Sequence, residues 1–434
     1  MKFSIKSVLL VLICFTAGIL FAEEDQVFIR GIRPLGMGGA FTAVADDQNA
    51  PFYNPAGISQ RTSRLLTVFE MPITIGQDFL DLYEFYKDNE TELEKFDEQT
   101  NEKQAELINK ISNDISKLSP FFGIGLPNMV YLSKPSKITW GVGLFGEFKG
   151  NFQIRNGVLV PTYSIFGNID VALISPLSYK LDTIDVPYWK GKSFAVENLA
   201  VGCNLKYLNR ANINEVQRSV LELEEFDPIM QTGDGWGMDL GAIYPIGRAY
   251  TVGMMITDLF GTKISYDREE NDNHEVRLAR DAVIPPAVNL GLAYRPQDIP
   301  FIPMINKRLL ITADIRDIFD DKEKIFDETF YKKIHFGAEY PFMFITGRVG
   351  LNQGYPTIGV EVSLLALKIG YTYYSDELGL YAGQNPARKN LLNIAVRFGG
   401  KGTTDNNKSV KLPASDKLLA EGYKTARLVS STTY

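Results

Sequence analysis

Single charged residues recur along the chain where they could bind an anionic group or pair with one another. Three arginines, Arg316, Arg348 and Arg397, lie in or beside stretches in which apolar and polar residues alternate. A guanidinium is planar and stays charged, so it suits two-pronged contacts with a carboxylate or a phosphate. These arginines are therefore candidates either for binding an anionic ligand headgroup or for ion pairs inside the protein.

The residue types of common catalytic and metal sites are scarce. The sequence has two histidines, His274 in an acidic stretch and His335 in an alternating one, which does not favour a histidine-rich metal site. The segment GMGGAF at 36–41 has the glycines of a dinucleotide loop, but no buried strand precedes it and no βα unit follows. G-x-S-x-G and H-E-x-x-H are absent. We therefore predict a protein that is not an enzyme and that uses no cofactor and no metal.

The alternating stretches predict β-strands with one apolar face and one polar face. In LALKIGYTYY at 365–374, Ile369 and Tyr371 share a face with two leucines, while Lys368 lies on the other face among small residues. In the last stretch, LLNIAVRF, Phe398 and Arg397 lie on opposite faces. About fourteen such stretches with apolar, aromatic-ended outer faces are typical of an antiparallel transmembrane β-barrel. The predicted fold class is therefore all-β.

Alternation also predicts which charges point into the barrel lumen. The inward set carries both signs and comprises Lys206, Asp239, Asp314, Arg316, His335, Glu339, Arg348, Glu361, Lys368 and Arg397. Unpaired buried charges are costly, so we expect most of these to pair with each other or with Arg30, Arg33, Asp46 and Asp47 of the N-terminal segment. A salt-bridge network that holds this segment is the favoured interpretation, and an anion site at the arginines is the alternative.

The start of the chain predicts an exported protein. Lys2 and Lys6 precede the apolar run SVLLVLICFTAGILF, and Ala22 provides a small residue for cleavage. An uncleaved anchor is the alternative, although the run is short for a spanning helix, which needs roughly 20 residues. Cleavage leaves Cys203 as the remaining cysteine, so the mature chain forms no internal disulfide. The formal net charge of −7 argues against nucleic acid as a partner.

Two segments depart from the strand pattern. Within 78–118, Leu107, Ile111, Ile115 and Leu118 recur at helical spacing, which predicts an amphipathic helical insert in an external loop. We expect this insert either to cap the barrel mouth or to present an apolar docking surface. Residues 399–434 form a polar C-terminal tail beyond the last strand.

Residues 30–59, RGIRPLGMGGAFTAVADDQNAPFYNPAGIS, resemble the opening of the FadL-type outer-membrane proteins, which transport long-chain fatty acids and other hydrophobic compounds. The later blocks LNQGYPTIGVEV and YYSDELGLYAGQ resemble a spirochaete branch, and the wider group includes PorV-like secretion-associated barrels. The resemblance implies a fourteen-stranded barrel whose N-terminal segment forms a hatch in the lumen. The matching hatch positions are Gly36, Gly38, Gly39, Asp46, Asp47, Asn54, Pro55, Ala56 and Gly57.

The resemblance also implies a way out through the wall. FadL-type transport is associated with sideways release through a gap beside a kinked third strand. Here the third predicted strand contains Gly141, Gly143 and Gly146, and the fourth contains Pro161. Glycine weakens a strand and proline removes a ladder bond, so these residues are candidates for a lateral gate. An ordinary bulge is the alternative.

The sequence thus predicts a signal peptide at 1–22, a hatch at 23–60, a barrel at 61–398 with the helical insert at 78–118, and the tail at 399–434. The expected location is the outer membrane. The expected partners are outer-membrane lipid, hydrophobic small molecules such as fatty acids, and the barrel-assembly machinery. The expected function is passive, hatch-gated uptake of such molecules with lateral release. The alternative is a sealed structural or secretion-associated barrel without transport.

Overall fold

The computed structural model describes residues 31–95, 98–115, 118–155, 162–189, 192–219, 227–271, 273–296, 308–319, 328–379 and 381–400. The predicted signal peptide, the first residues of the predicted hatch, Pro161 and most of the predicted tail lie outside the described residues. No helix among the described ranges is long and apolar enough to cross a membrane.

Fourteen antiparallel strands form a closed barrel, which confirms the predicted fold class. The ring closes because the first strand pairs with the last, from Leu65 opposite Gly399 to Gly76 opposite Lys389. Strands β2, β7 and β8 are each interrupted once. The strands are β1 Leu65–Gly76, β2 Phe121–Gly125 with Met129–Leu132, β3 Ile138–Arg155, β4 Thr162–Lys180, β5 Ala200–Ser219, β6 Met230–Ile246, β7 Tyr250–Thr257 with Thr262–Tyr266, β8 Arg280–Ile284 with Ala287–Tyr294, β9 Leu310–Ile315, β10 Ile334–Phe342, β11 Ile345–Asn352, β12 Tyr355–Leu364, β13 Leu367–Glu377 and β14 Pro386–Gly399.

The two faces of the wall differ as the alternation predicts. The outer face is apolar, with side chains such as Trp140, Leu205 and Ile358 half exposed or more. The inner face carries buried polar groups, among them Asp239 and Glu339. An apolar exterior around a polar interior is the pattern of a barrel that spans a bilayer. Every inward charge predicted from the sequence that falls within a strand lies on this inner face.

Most short turns lie at one end of the barrel and most long links at the other, although the tight turn of Gln353 and Gly354 between β11 and β12 lies at the long-link end. Gly247, Met343 and Leu365 have positive φ in the short turns that follow β6, β10 and β12. The link between β4 and β5 begins after Lys180 and ends before Ala200. Part of that link forms a hairpin of two strands, Ile184–Trp189 and Lys192–Val196. Part of the link at 296–306 lies outside the described residues.

The chain before β1 lies inside the ring of strands. We call residues 31–61 the inner segment; it contains α1 (Ile32–Gly36), α2 (Ala50–Tyr53) and a 3₁₀ helix (Pro55–Gln60). Almost all of its residues are buried, and Phe41 and Ile58 are fully so. Such short helices bury little apolar surface by themselves, so contacts with the wall stabilise the segment.

The inner segment lies against inward-facing glycines of the wall. A Cβ atom on Gly337 would lie 2.4 Å from the carbonyl oxygen of Met37, and one on Gly253 would lie 2.4 Å from that of Thr42. Because these distances are far below van der Waals contact, only glycine allows the two backbones to approach this closely. Further inward glycines lie against the backbone of the segment: Gly202, Gly291, Gly350 and Gly359. Gly241 and Gly370 lie against side chains of the segment, those of Asn54 and Ile32.

The helical insert packs on the outside of the barrel. Helices α3 (Gln77–Glu94) and α4 (Asn101–Asp114) follow β1. Leu82, Phe85 and Ile111 pack with Phe152 of β3 and Tyr163 of β4. Asn151 and Gln153 hydrogen-bond to Ser119 on the lumen side, so Phe152 between them faces outward. The insert therefore covers the outer wall at the long-link end.

Substitution of the wall glycines tests the close approach. Gly337→Ala and Gly253→Ala each force the inner segment away from the wall, at a cost of about 1–3 kcal/mol. We expect both variants to lower the urea midpoint of the detergent-folded barrel and to speed proteolysis within residues 31–61. Gly347→Ala is the control, since nothing lies within 4 Å of a Cβ there. Equal behaviour of all three variants would contradict the account.

Candidate functional site

A buried network of charges joins the inner segment to strands β10 to β12. The Arg33 guanidinium donates to both carboxylate oxygens of Glu339, at 2.8 and 3.0 Å. It also contacts Asp46 at 2.6 Å and Asp47 at 3.1 Å. Burial alone would lower the pKa of Arg33, but these three carboxylates outweigh it and raise that pKa well above its usual value. Because a buried charge without a partner is costly, this network fixes where the inner segment sits.

Single polar side chains hold the segment elsewhere. The Asp314 carboxylate accepts the backbone N–H groups of Phe41 and Thr42, both at 2.8 Å. His335 Nδ1 lies 2.7 Å from the Gly38 carbonyl oxygen. Asn204 Nδ2 donates to the Pro51 carbonyl oxygen at 2.6 Å. Since the segment lacks long regular structure, these side chains satisfy backbone groups that would otherwise be buried without partners.

The residues of the predicted hatch motif all lie in the inner segment, where they make different contacts. Gly36, Gly38 and Gly39 lie close to β10, β11 and β12. Asp46 and Asp47 pair with Arg33. Asn54 Nδ2 donates to the carbonyl oxygens of Thr42, Ala242 and Met254, while its Oδ1 accepts from Ala56 N. Pro55 opens the 3₁₀ helix, and a Cβ on Gly57 would lie 2.0 Å from the Ala45 carbonyl oxygen.

The three candidate arginines lie at separate places. Arg348 Nε donates to Glu339 at 2.8 Å, and Arg348 lies 3.6 Å from Glu361. Arg397 lies 3.5 Å from Glu70. Arg316 lies just beyond β9, with its guanidinium 5.6 Å from the Tyr53 ring centroid. The structure brings Arg348 to the Arg33 network but leaves Arg316 and Arg397 outside it, so the three do not form one anion site.

A cavity of about 140 Å³ lies in the lumen on the long-link side of the inner segment. Its walls come from β1 to β4, β13 and β14, and Leu35 of α1 contributes to its floor. Apolar and aromatic side chains form much of the lining: Leu35, Phe121, Phe166, Tyr374, Leu378 and Leu391. Among the described residues, the lumen is thus filled around the inner segment and contains a cavity beside Leu35.

Two ion pairs border the cavity. Lys149 contacts Glu147 at 2.8 Å, and Lys389 contacts Asp376 at 3.0 Å. The Lys389 ammonium lies 4.1 Å from the centroid of the Phe121 ring, which is a cation–π contact. Each lysine is therefore partnered, and the polar side of the cavity carries balanced charge.

Strand β2 is interrupted beside this cavity. It pairs with β1 at 122–124 and again at 130–132, but not at Leu126, Pro127 and Asn128. In that interval Asn128 N donates to the Glu70 carbonyl oxygen at 2.9 Å. Proline cannot donate to a ladder, so Pro127 accounts for part of the break. Pro72, Gly123 and Glu147, which line the cavity, flank the interruption.

The candidate gate glycines lie beside gaps in the ladders. The β3–β4 ladder skips Gly141 and Val142, resumes where Gly143 pairs with Ile174, and continues to Arg155. Ser175 Oγ donates to the Gly141 carbonyl oxygen at 3.1 Å. Gly146 lies beside the break in β2, because its N–H donates to Asn128 Oδ1 at 2.8 Å and a Cβ there would lie 2.9 Å from Leu126. The hydrogen-bonding pattern is therefore interrupted at β2 and also, beside Gly141, between β3 and β4.

Sequence reasoning missed several lumenal residues. Glu70 binds Asn393 at 3.0 Å and contacts Arg397, but the register shifts between Thr67 and Phe69. A bulge of this kind reverses the inward and outward positions beyond it, so simple alternation misplaces Glu70. Asp376 and Lys389 lie just outside the alternating stretches 365–374 and 391–398, which predict the last two strands. Their opposite charges on adjacent strands were the available signal.

Several solved structures of channels are similar to this chain at low sequence identity. The Ralstonia pickettii toluene transporter TbuX has 14% identity and a TM-score of 0.47, with 87% of this chain and 100% of that chain covered. A Pseudomonas aeruginosa FadL homologue has 12% identity and a TM-score of 0.48, with 86% and 99% covered. The Pseudomonas putida toluene transporter TodX has 14% identity and a TM-score of 0.46, with 84% and 96% covered.

A family model described as "F plasmid transfer operon, TraF, protein" matches residues 186–302. This match spans strands β5 to β8 and the links around them. No curated protein matches the sequence.

Removal of one charge tests the buried network. Glu339→Gln leaves Arg33 and Arg348 without their shared carboxylate, and we expect a loss of about 3–5 kcal/mol in the free energy of unfolding. Urea unfolding of the detergent-folded barrel measures this loss. Asp182→Asn is the control, because the Lys137–Asp182 pair is exposed and such pairs contribute about 0–1 kcal/mol.

A second substitution separates charge from packing. Adding Arg348→Met to Glu339→Gln removes one of the two cations that lose this carboxylate, so the double variant should be more stable than Glu339→Gln alone. Purely additive losses would mean that Glu339 acts through packing and not through its charge.

Proposed function

We propose that this protein is an outer-membrane barrel for passive uptake of hydrophobic compounds, of the FadL type that residues 30–59 resemble. The observation that carries the proposal is the cavity above Leu35, which has apolar and aromatic walls and borders the break in β2. Outer-membrane lipid surrounds the apolar wall in this proposal. Phe398, on the outer face at the end of β14, is the terminal aromatic that the barrel-assembly machinery would recognise.

The size of the cavity limits what it holds. An apolar cavity of about 150 Å³ accommodates one benzene-sized molecule. The cavity of about 140 Å³ therefore fits a single aromatic ring or the end of an acyl chain. Leu35, Phe121 and Leu391 would contact the apolar part of such a ligand. The partnered lysines Lys149 and Lys389 would lie beside its polar end, if it has one.

The proposed exit runs sideways through the interruption of β2. Leu126 and Met129 are exposed on the outer face at this point. Straight passage along the barrel axis would require the inner segment to leave its glycine contacts and the Arg33 network. Passage beside Pro127 requires a local opening where few ladder bonds hold the wall. The second route disturbs fewer interactions, and it keeps the inner segment, the proposed hatch, in place.

The alternative is a sealed structural or secretion-associated barrel. The filled lumen around the inner segment favours it, because the network of Arg33 and Glu339 leaves no axial route. A sealed barrel would act through its surfaces and would not depend on the cavity. Blocking the cavity therefore separates the two functions.

Filling the cavity tests the transport proposal. A Cβ on Gly123 would meet nothing closer than 3.4 Å, so Gly123→Phe places a ring in the cavity without displacing backbone. We expect uptake of a fluorescent long-chain fatty acid into proteoliposomes to fall to the rate of protein-free vesicles, with unchanged urea stability. Gly347→Phe, on the outer face of β11, is the control that retains uptake. Full uptake in Gly123→Phe would favour the sealed barrel.

A reversible crosslink tests the lateral exit. The pairings on either side of the interruption place Met71 of β1 opposite Leu126. In a Cys203→Ser background, oxidation of Met71→Cys with Leu126→Cys ties β1 to β2 across the break. We expect uptake to stop on oxidation and to return with reductant. The control pair, Ile73→Cys with Ile124→Cys, joins residues that are already paired and should leave uptake unchanged.

A crosslinked Met71–Leu126 protein that transports at the normal rate would rule out exit beside Pro127. The result of filling the cavity would still stand. The crosslink can therefore reject the exit route without rejecting the transport function.

A further inference from the structure

Helix α3 exposes an aromatic edge that no other described part of the chain covers. Phe79, Tyr83 and Tyr86 recur at helical spacing, and Tyr83 is 59% exposed. Leu80 extends the edge. A different side of the helix, formed by Leu82 and Phe85, packs against the barrel wall. The edge is therefore not the surface that attaches the insert to the barrel.

The position of Phe79 shows which way the edge faces. Its ring centroid lies 6.2 Å from that of Phe122 on β2, which in turn lies 6.4 Å from Phe148 on β3. Phe121 and Gly123 line the lumen cavity, so Phe122 between them faces outward. The aromatic edge thus continues the apolar outer wall, and Tyr83 and Tyr86 extend it along the helix away from the barrel.

Three acidic residues of α3 lie across the helix from this edge, whereas Lys87 and Glu90, farther along the helix, lie in line with it. Asp81, Glu84 and Asp88 recur at three- and four-residue spacing, and all three are exposed. This spacing places them across the helix from Phe79, Tyr83 and Tyr86. A helix that lies on a bilayer has this division, with aromatic residues in the interfacial layer and charges in water.

We propose that α3 lies on the outer surface of the bilayer beside the barrel, with Phe79, Leu80, Tyr83 and Tyr86 in the lipid headgroup layer. The occupant of the aromatic edge is lipid, because the edge is continuous with the lipid-facing wall through Phe79 and Phe122. Tyrosine suits this layer, since its ring is apolar and its hydroxyl reaches water. Because the opposite side of the helix is acidic, the contact with the bilayer does not rely on attraction to anionic headgroups.

This placement anchors the insert close to the β2 break, since α3 begins directly after β1. The proposal rests on the barrel spanning a membrane but not on transport. A barrel that carries nothing would hold α3 on the bilayer in the same way.

Spin-label accessibility in phosphatidylcholine vesicles tests the proposal. In the Cys203→Ser background, nitroxide labels replace Tyr83, Asp88 and Leu205 in three single-cysteine variants. We expect the label at 83 to collide preferentially with dissolved oxygen, as lipid-embedded sites do, and the label at 88 to collide preferentially with a water-soluble nickel chelate. Leu205, on the outer face of β5, provides the lipid reference. Equal accessibility at 83 and 88, with a lipid signal at 205, would overturn the proposal.

A label at 205 without a lipid signal would instead contradict the membrane location itself, so the two failures are distinguishable.

The variant labelled at position 83 lacks the tyrosine ring that anchors the helix in this proposal. Limited proteolysis of unlabelled protein therefore provides a second test. Lys87 is exposed on α3, so trypsin cleavage after it reports release of the helix from the surface. Tyr83→Ser with Tyr86→Ser should speed this cleavage in vesicles but not in detergent micelles. Glu84→Ser with Asp88→Ser, on the acidic side, is the matched control and should leave the rate unchanged. Faster cleavage in both double variants would mean that the helix is merely destabilised.

Discussion

The rest of the structure depends on the close approach of two backbones, that of the inner segment and that of the barrel wall. Residues 31–61 contain little regular structure and cannot fold independently, whereas the lumen of a fourteen-stranded barrel is too wide for wall side chains to fill. Inward glycines resolve both problems, because positions such as Gly253 and Gly337 let the segment lie directly on the strands. Contact at this distance leaves no room for water, so every charge brought inside must be partnered. The clearest example is Arg33, which pairs with Glu339, Asp46 and Asp47.

The tight fit of the inner segment also limits which part of the barrel can bind or release a ligand. Residues held by many backbone contacts move together or not at all, whereas a strand with a proline can open locally. The cavity above Leu35 and the break at Pro127 lie side by side at the margin of the fitted region. The proposed function therefore uses the part of the barrel that the inner segment does not hold. The helical insert begins at the end of β1 and packs outside the wall, away from the inner segment.

Much of this could be read from the sequence, and the exceptions have physical reasons. Period-two alternation predicts the strands and the inward side of residues such as Glu339 and Arg348, because the lipid outside and the polar lumen inside both act on every strand. The glycines of the 36–39 region could be linked to a thin lumenal segment. Alternation fails where the backbone is irregular: a bulge near Thr67 hides Glu70, and β2 is interrupted around Pro127. Both irregularities depend on how the strands pair in the folded barrel, and local residue preferences do not show that pairing. The outward packing of the insert depends on Phe152 and Tyr163, which in the sequence look like ordinary lipid-facing residues.

The most direct test of the central claim is to map the path of a hydrophobic ligand. A photoreactive diazirine fatty acid is bound to the folded protein and activated by light, and the labelled residues are identified by mass spectrometry. The account predicts labels around the cavity, at Phe121 and Leu391, and at the β2 break, near Leu126. It predicts none between the inner segment and the wall, for example at Thr42 or Gly337. Labels along that interface, with none at the cavity, would show that compounds pass through the inner segment and would contradict the account.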